Sequence, residues 1–356
     1  MADDAPRVVP GAGGDQHPAP PASGGALGGR GRGEGGRGGR RGGRAETKMV
    51  PDERPVDVRT YYDRPVLKAP VWQWYIPTYF FAGGLAAGSS MLAAGAMLTG
   101  DQAVARRARL VALPAIAAGS ACLVADLGRP ERFLNMLRVA KISSPMSTGT
   151  WVLTIYAPAA GLAALTDVLG GLPRTRALAT MVAALTAPVI ASYTAVLLSD
   201  TAIPAWHDAR HVLPAVFVSS ASGAAGGAAL VAAALSGAPP STAALRLAVG
   251  GTMCEALAAT VMEHRLPPAV RKAYETGAAR LLSRAAAGLG LGGAGAAVLG
   301  RRRRWVTAVG GAMVIAGSVC QRFAATAAGR ASALDPRATV GPQRERADLA
   351  RPAPAG

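Results

Sequence analysis

Two acidic side chains beside or inside long apolar segments are the residues of this sequence best suited to chemistry. Asp126 stands where the second apolar segment ends, and Glu255 lies inside the sixth. An acid at the edge or in the middle of hydrocarbon is costly unless it is paired, protonated or solvated. Both are therefore candidates for proton transfer, and a purely structural role for a protonated Glu255, hydrogen-bonded across helices, is an equal alternative.

A charged stretch, Asp126 to Trp151, separates the second and third apolar segments and reads DLGRPERFLNMLRVAKISSPMSTGTW. Arg129 and Arg132 follow Asp126 within two helical turns, which is close enough to compensate its charge. An arbitrary loop between two membrane helices needs no such arrangement. The stretch therefore predicts a membrane re-entry point with a function.

The same stretch predicts a short helix of its own between the second and third membrane helices. Pro130 suits the first position of a helix, and the segment Pro130 to Lys141 has apolar residues on one side and basic residues elsewhere. This pattern is typical of an amphipathic helix that lies in the membrane interface. We expect Pro145 to end it, and Ser147 with Thr148 to cap the next membrane helix.

These residues must be positioned by membrane helices, because half of the residues are hydrophobic and the mean hydropathy is +0.25. A helix needs about 20 apolar residues to cross a bilayer. Segments of about this length predict an all-α integral membrane protein with eight transmembrane helices. They are Trp72 to Leu98, Leu110 to Ala125, Trp151 to Leu169, Leu178 to Leu198, Val212 to Leu235, Thr242 to Met262, Leu281 to Leu299 and Trp305 to Ala325.

The fifth segment begins like the first, which predicts an internal repeat. Trp74, Ile76, Pro77 and Phe80 correspond to His211, Leu213, Pro214 and Phe217, and small residues follow in both. Generic small-residue packing without duplication is the alternative. We expect two four-helix bundles, residues 71–200 and 201–326.

The two ends of the chain differ in composition from the membrane segments. Residues 1–48 are rich in Gly and Arg and contain too few apolar residues to repay the entropy of ordering, so they are expected to be disordered. Because Met49 begins a sensible membrane-protein N-terminus, this tail is equally interpreted as an artefact of start-site choice. Residues 49–70 would be a juxtamembrane segment, and residues 327–356 a disordered tail.

The formal charge of +17 is concentrated beside helix ends, which favours anionic lipid headgroups over nucleic acid as the partner. Lys and Arg are distributed similarly between the loops of the two sides. The basic N-terminal region slightly favours termini in the cytoplasm.

The residues that bind metal cofactors are scarce. Cys122, Cys254 and Cys320 stand singly inside apolar segments, so no iron–sulfur cluster or structural zinc is expected in this chain. The four histidines lie in the tail or at helix ends, which argues against a membrane haem. Any cluster would belong to a partner.

Three motifs resemble the NrfD family, the polysulfide-reductase-type membrane subunits. They are WxWxIPxYFFxGGLAAGSSxLAAGA from Trp72, DLGRPxRFLNMLRVxKxxSPMSxGTW from Asp126 and SYTAVLLSDTAIPAW from Ser192, within a likeness that runs from about Tyr61 to Phe323. The resemblance implies a multi-pass anchor in the cell membrane that exchanges electrons between quinone and a ferredoxin-like iron–sulfur subunit. That subunit would serve a molybdopterin catalytic subunit, as in anaerobic respiration.

The resemblance also implies a quinone site in the first bundle, near the face that carries the iron–sulfur partner. Tyr193 is the expected hydroxyl donor to a quinone carbonyl, and Tyr79 and Trp74 are expected to form aromatic walls. A second hydroxyl donor is not identified, and menaquinone and ubiquinone both remain open. A solute or ion transporter and an inert anchor for a peripheral protein are the alternative functions.

Overall fold

The structure is a computed structural model that describes residues 65–129, 131, 135–138, 140–141 and 143–349, and for residues 343–349 only the backbone. Within these residues, eight helices are long and apolar enough to cross a membrane. The predicted fold class and the predicted number of spans are confirmed. The helices are α1 (Tyr75–Leu98), α2 (Gln102–Asp126), α3 (Pro145–Leu169), α4 (Pro173–Ser199), α5 (Leu213–Leu235), α6 (Thr242–Arg265), α7 (Gly277–Leu299) and α8 (Arg304–Leu334).

Short helices connect or extend the spans. Pro204–His207 lies between α4 and α5, Pro268–Glu275 lies between α6 and α7, and Pro336–Leu349 follows α8. The predicted interfacial helix from 130 to 141 stays a prediction, because Pro130, Arg132 and several of its other residues lie outside the described ones.

The third span begins earlier than the apolar pattern predicted. Pro145 occupies the first turn of α3, a position that suits proline because no helical N–H partner is needed there. The cap is Ser144, whose hydroxyl accepts a hydrogen bond from the Ser147 backbone N–H at 3.5 Å. The expectation that Ser147 and Thr148 cap this helix is therefore wrong, and the Ser147 hydroxyl instead accepts from the Lys141 N–H at 3.0 Å.

The eight spans form two groups of four with the same internal arrangement. In the first group, α1 packs on α2 and α4, and α3 packs on the same two helices; in the second group, α5 and α7 each pack on α6 and α8. The groups meet mainly through α1 and α5, the two most deeply buried spans. This arrangement supports the predicted repeat, although duplication itself stays a prediction.

The C-terminal region differs from the expected disordered tail. Helix α8 continues to Leu334, and the further helix runs from Pro336 to Leu349. Ala328 and Ser332 are fully buried, and the Ser332 hydroxyl accepts a hydrogen bond from the Ala205 N–H at 3.2 Å. Packing against the segment that joins the two groups keeps this region ordered, so the expectation is wrong for residues 327–349.

Candidate functional site

Most of the site residues predicted from the sequence lie at one end of the helix bundle. We call N-face the end at which α1 begins, and opposite face the other end. Because consecutive spans are antiparallel, the N-face also receives the end of α2, the beginning of α3, the end of α4 and the beginning of α5. Tyr79, Tyr193 and Asp126 are therefore brought to the same end of the molecule.

Tyr79 and Tyr193 form the centre of the candidate site. Their hydroxyls are joined by a hydrogen bond between α1 and α4, and their rings meet edge to face with centroids 6.5 Å apart. Tyr79 is 2% exposed, whereas Tyr193 is only partly buried. The two tyrosines thus form one polar unit in an otherwise apolar part of the first group.

Glycines on the other two helices of the first group make room for this pair. A Cβ atom at Gly149 of α3 would overlap the ring of Tyr193. A Cβ atom at Gly119 of α2 would lie 3.4 Å from the ring of Tyr79. All four helices of the first group therefore shape the position of the two rings.

Aromatic side chains extend from the tyrosines towards the segment between the two groups. Phe80 packs beside Tyr79, and Trp72 meets Phe80 edge to face with centroids 6.2 Å apart. Trp72 also stacks on Trp206 at 5.1 Å. Trp206 is fully buried and donates its indole N–H to the Ala325 carbonyl at 2.7 Å.

Sequence reasoning did not single out Trp206 as a site residue. The signal was nevertheless present, because this tryptophan ends the SYTAVLLSDTAIPAW motif. Its place between the two groups depends on contacts with α8, which no pattern in the sequence revealed.

Trp74 does not join the tyrosine pair, contrary to its predicted role as an aromatic wall. Its side chain is 58% exposed and packs on Tyr75, with ring centroids 4.3 Å apart. It precedes α1 directly, where tryptophan commonly lies at the level of the lipid headgroups.

Asp126 is the exposed last residue of α2 at the N-face. Arg129 is exposed as well, and the two side chains form no ion pair with each other. The predicted compensation of Asp126 by Arg129 is therefore not observed, since both groups can be solvated at this end. Arg132 and Pro130, the remaining motif residues, lie outside the described part of the chain.

Glu255 belongs to a separate place, on α6 in the second group. Its carboxylate lies near the Ser220 hydroxyl and the Arg322 guanidinium. Arg322, on α8, is 1% exposed, and sequence reasoning missed it. The burial-cost argument used for Glu255 would have found it, because it is a charged residue inside the eighth apolar segment.

Residues 65–262 match the family described as Polysulphide reductase, NrfD. These residues are more than half of the chain and include both tyrosines, Asp126 and Glu255. The chain belongs to the NrfD family. Helices α7 and α8 lie beyond the NrfD match, which ends well before the expected limit at Phe323. No curated protein with which the chain was compared matches it.

NrfD proteins are multi-pass membrane proteins, in agreement with the eight spans. Subunits of the NrfD family interact with quinones and associate with iron–sulfur and molybdopterin subunits. Among the described residues, no three His, Cys, Asp or Glu side chains are grouped so that they could hold a metal ion.

Proposed function

We propose that this chain is the quinone-interacting membrane subunit of a molybdopterin oxidoreductase complex. It would pass electrons between the quinone pool and a partner iron–sulfur subunit. The observation that carries the proposal is the hydrogen-bonded pair Tyr79–Tyr193 in a member of the NrfD family.

The chemistry of the pair fits the needs of a quinone. Two phenol hydroxyls joined by one hydrogen bond retain one hydroxyl proton between them. If buried Tyr79 donates to Tyr193, the proton of the more accessible Tyr193 is available for an external acceptor. Such a donor stabilises negative charge that develops on a carbonyl oxygen, and it is strengthened by the hydrogen bond it receives.

A bound quinone supplies two carbonyl oxygens that take up electrons and protons. Tyr193 would hold one of these oxygens, with Tyr79 fixing the orientation of the Tyr193 hydroxyl. Phe80 and Trp72 would provide apolar surface for the ring beyond the pair. Asp126, exposed at the same face, would exchange protons between the site and water.

The position of the pair also suggests where the partners dock. Electron transfer favours a short path between the quinone and the nearest iron–sulfur cluster. Tyr79, Tyr193 and Asp126 all belong to the N-face half of their helices, so the iron–sulfur subunit would cover the N-face. The molybdopterin catalytic subunit would bind to that subunit.

Removing single hydroxyl groups tests the proposal. We expect Tyr193→Phe and Tyr79→Phe to lower quinol-linked reduction of the iron–sulfur partner in the purified complex about tenfold or more, because losing one stabilising donor typically costs this much or more in rate. Tyr156→Phe is the matched control. Tyr156 is also buried and bonded to a hydroxyl, that of Ser90 at 2.9 Å, but it lies deeper in the first group.

Wild-type rates in both Tyr193→Phe and Tyr79→Phe would remove the pair from the mechanism and favour an inert anchor. Equal losses in all three variants would indicate a general effect of hydroxyl removal on the helix bundle. Asp126→Asn is measured in the same assay, and an unchanged rate would exclude Asp126 from proton transfer.

A further inference from the structure

A cavity of about 230 Å³ lies in the second group, away from the tyrosine pair. It lies between α6 and α7, with a residue of α8 and Tyr274 of the short helix Pro268–Glu275 among its lining. Much of its lining is polar, which is unusual at this depth of a membrane protein. The polar lining residues are Thr252, Glu255, Thr260, Glu263, Tyr274, Ser283 and Gln321.

The cavity continues to the protein surface at the N-face. Glu263, Tyr274 and Ser283 also line an outer depression of about 420 Å³, whose other walls include charged side chains of Glu275, Arg280 and Arg284. On α6, the residues at positions 252, 255, 259 and 263 follow one another at helical spacing along a single stripe. Glu255 therefore lies about 12 Å deeper than Glu263 at 1.5 Å per residue.

Buried polar atoms beside the cavity lack protein partners. Thr252 is 3% exposed, lines the cavity, and has a buried Oγ1 with no hydrogen-bond partner. The Nε and Nη1 atoms of Arg322 are likewise buried without one. Buried polar groups are satisfied by protein or by ordered water in nearly all structures. A polar cavity of this size has room for several waters at about 30 Å³ each.

Arg322 is held where it can respond to the charge of Glu255. Its Nη2 donates to the Phe217 carbonyl of α5 at 2.7 Å, and its guanidinium lies 3.8 Å above the ring of Phe217. Its two free donors are not bonded to Glu255, although the charges of the two residues interact. A deprotonated Glu255 would thus be stabilised by a nearby cation, and a protonated Glu255 leaves Arg322 on α5.

Close helix packing closes the second group towards the opposite face. A Cβ atom at Gly226 of α5 would overlap the backbone of Ala248 of α6. A Cβ atom at Gly227 would lie 2.6 Å from the Gly311 carbonyl of α8. These contacts lie about two or more turns beyond Glu255 and Arg322, so the space around Glu255 continues only towards the N-face.

We propose that the second group contains a water-filled proton half-channel in which Glu255 exchanges protons with the solution at the N-face alone. A cavity water delivers the proton to the Glu255 carboxylate; on release, the proton returns to cavity water and Arg322 compensates the carboxylate charge. The neighbours facing Glu255 are Glu263 on α6, Arg322 and Gln321 on α8, Ser220 on α5, Ser283 on α7 and Tyr274. Burial first, and then the charge of Glu263, raise the pKa of the Tyr274 phenol, so this hydroxyl remains a donor.

This inference does not depend on the proposed quinone chemistry. The rings of Phe80 and Phe217 pack at 6.2 Å between Tyr79 and Arg322, so the two sites are separated by aromatic side chains. Failure of either proposal would leave the other intact.

Infrared difference spectroscopy of the complete complex in lipid nanodiscs, recorded between low and high pH, tests the half-channel. We expect a carbonyl band of a protonated carboxylic acid that disappears in Glu255→Gln and shifts when the sample is transferred to D₂O. We expect Ala286→Leu, which fills the cavity from its wall, to slow this exchange several-fold. Ala285→Leu is the matched control, because Ala285 is the neighbouring residue of α7 and does not line the cavity.

A second measurement needs no substitution. Dicyclohexylcarbodiimide adds to protonated carboxyl groups within membranes, and mass spectrometry of the labelled wild-type complex should locate it on Glu255, with less labelling as the pH rises. Absence of label on Glu255 at every pH would overturn the proposal. Exchange in D₂O that is equally slow in the wild type, Ala286→Leu and Ala285→Leu would overturn it too, and would indicate a cleft filled by a lipid chain.

Discussion

At the scale of single residues, Asp167 illustrates how this protein accommodates charge within its helices. Asp167 of α3 is 3% exposed and lies between two arginines near the opposite face. Its carboxylate accepts from Arg109 Nε at 2.5 Å and from Arg176 Nη1 at 3.3 Å, which joins α3 to α2 and α4. The cluster therefore fixes three helices of the first group far from the tyrosine pair.

We predict that Asp167→Asn destabilises the protein by about 3–5 kcal/mol, because it leaves the buried guanidinium of Arg109 without its counter-charge. Thermal unfolding of the purified complex measures the change. Glu275→Gln is the control. Its ion pair with Arg271 is solvent-exposed, and losing such a pair costs about 0–1 kcal/mol. Equal stability of Asp167→Asn and the wild type would show that the buried pair is unimportant.

The residue scale also shows what the sequence could and could not predict about the site. Tyr79 and Tyr193 were predicted, because they stand in family motifs, and the structure places them in contact. Trp74 stands in the same motif but is turned outwards, since its distance from Tyr79 on α1 gives the two side chains different directions. Arg322 and Asp167 were missed because a charge inside an apolar segment is explained only by its partner on another helix.

At the scale of secondary-structure elements, the beginning of α3 determines where the Tyr193 ring can lie. Pro145 and the Ser144 cap fix the first turn of α3, and Gly149 follows one turn later. The Tyr193 ring occupies the space that any larger residue at 149 would need. The charged stretch before α3 thus affects the site by fixing where this helix begins.

Gly149→Ala is predicted to displace the Tyr193 ring and to lower quinol-linked electron transfer severalfold, because catalytic groups must be held close to their productive geometry. Gly161→Ala on the same helix is the control, since its Cβ would make only an ordinary contact of 3.9 Å with Leu113. Activity and thermal unfolding are measured for both variants. Full activity of Gly149→Ala would mean that the position of the Tyr193 ring is not critical.

The elements themselves were largely predictable, and the exceptions share one cause. Six spans begin or end within a few residues of the apolar segments, because lipid requires a helix wherever the chain is continuously apolar. Helix α2 begins at Gln102 instead of Leu110, since buried Arg109 is paired with Asp167. Helix α8 extends to Leu334 because its last turns pack against the segment around Trp206. Tertiary partners, which apolar patterns do not report, set these boundaries.

At the scale of the whole molecule, the two four-helix groups have similar packing but different contents. The first group holds the tyrosine pair, and the second holds Glu255, Arg322 and the polar cavity. Both features open or point towards the N-face, whereas the opposite face is closed by the Asp167 cluster and glycine-mediated packing. This asymmetry favours the N-face as the place where partner subunits and protons arrive.

We predict that the iron–sulfur partner covers the N-face. A cysteine introduced by Arg129→Cys should be protected from a membrane-impermeant maleimide in the complex and react in the separated chain, as measured by mass spectrometry of the labelled peptide. Ser236→Cys is the control at the opposite face, where Ser236 is exposed after α5. Protection of Ser236→Cys alone would place the partner on the other side of the membrane.

The central claim is that the first group binds quinone at the tyrosine pair. A photoreactive quinone, cross-linked to the purified complex in competition with excess unlabelled quinone, tests it most directly when the labelled peptides are identified. The account predicts competable label on α1 and α4 around Tyr79 and Tyr193, reduced in Tyr193→Phe and retained in Tyr156→Phe. Label confined to the second group, or absent from this chain, would contradict it.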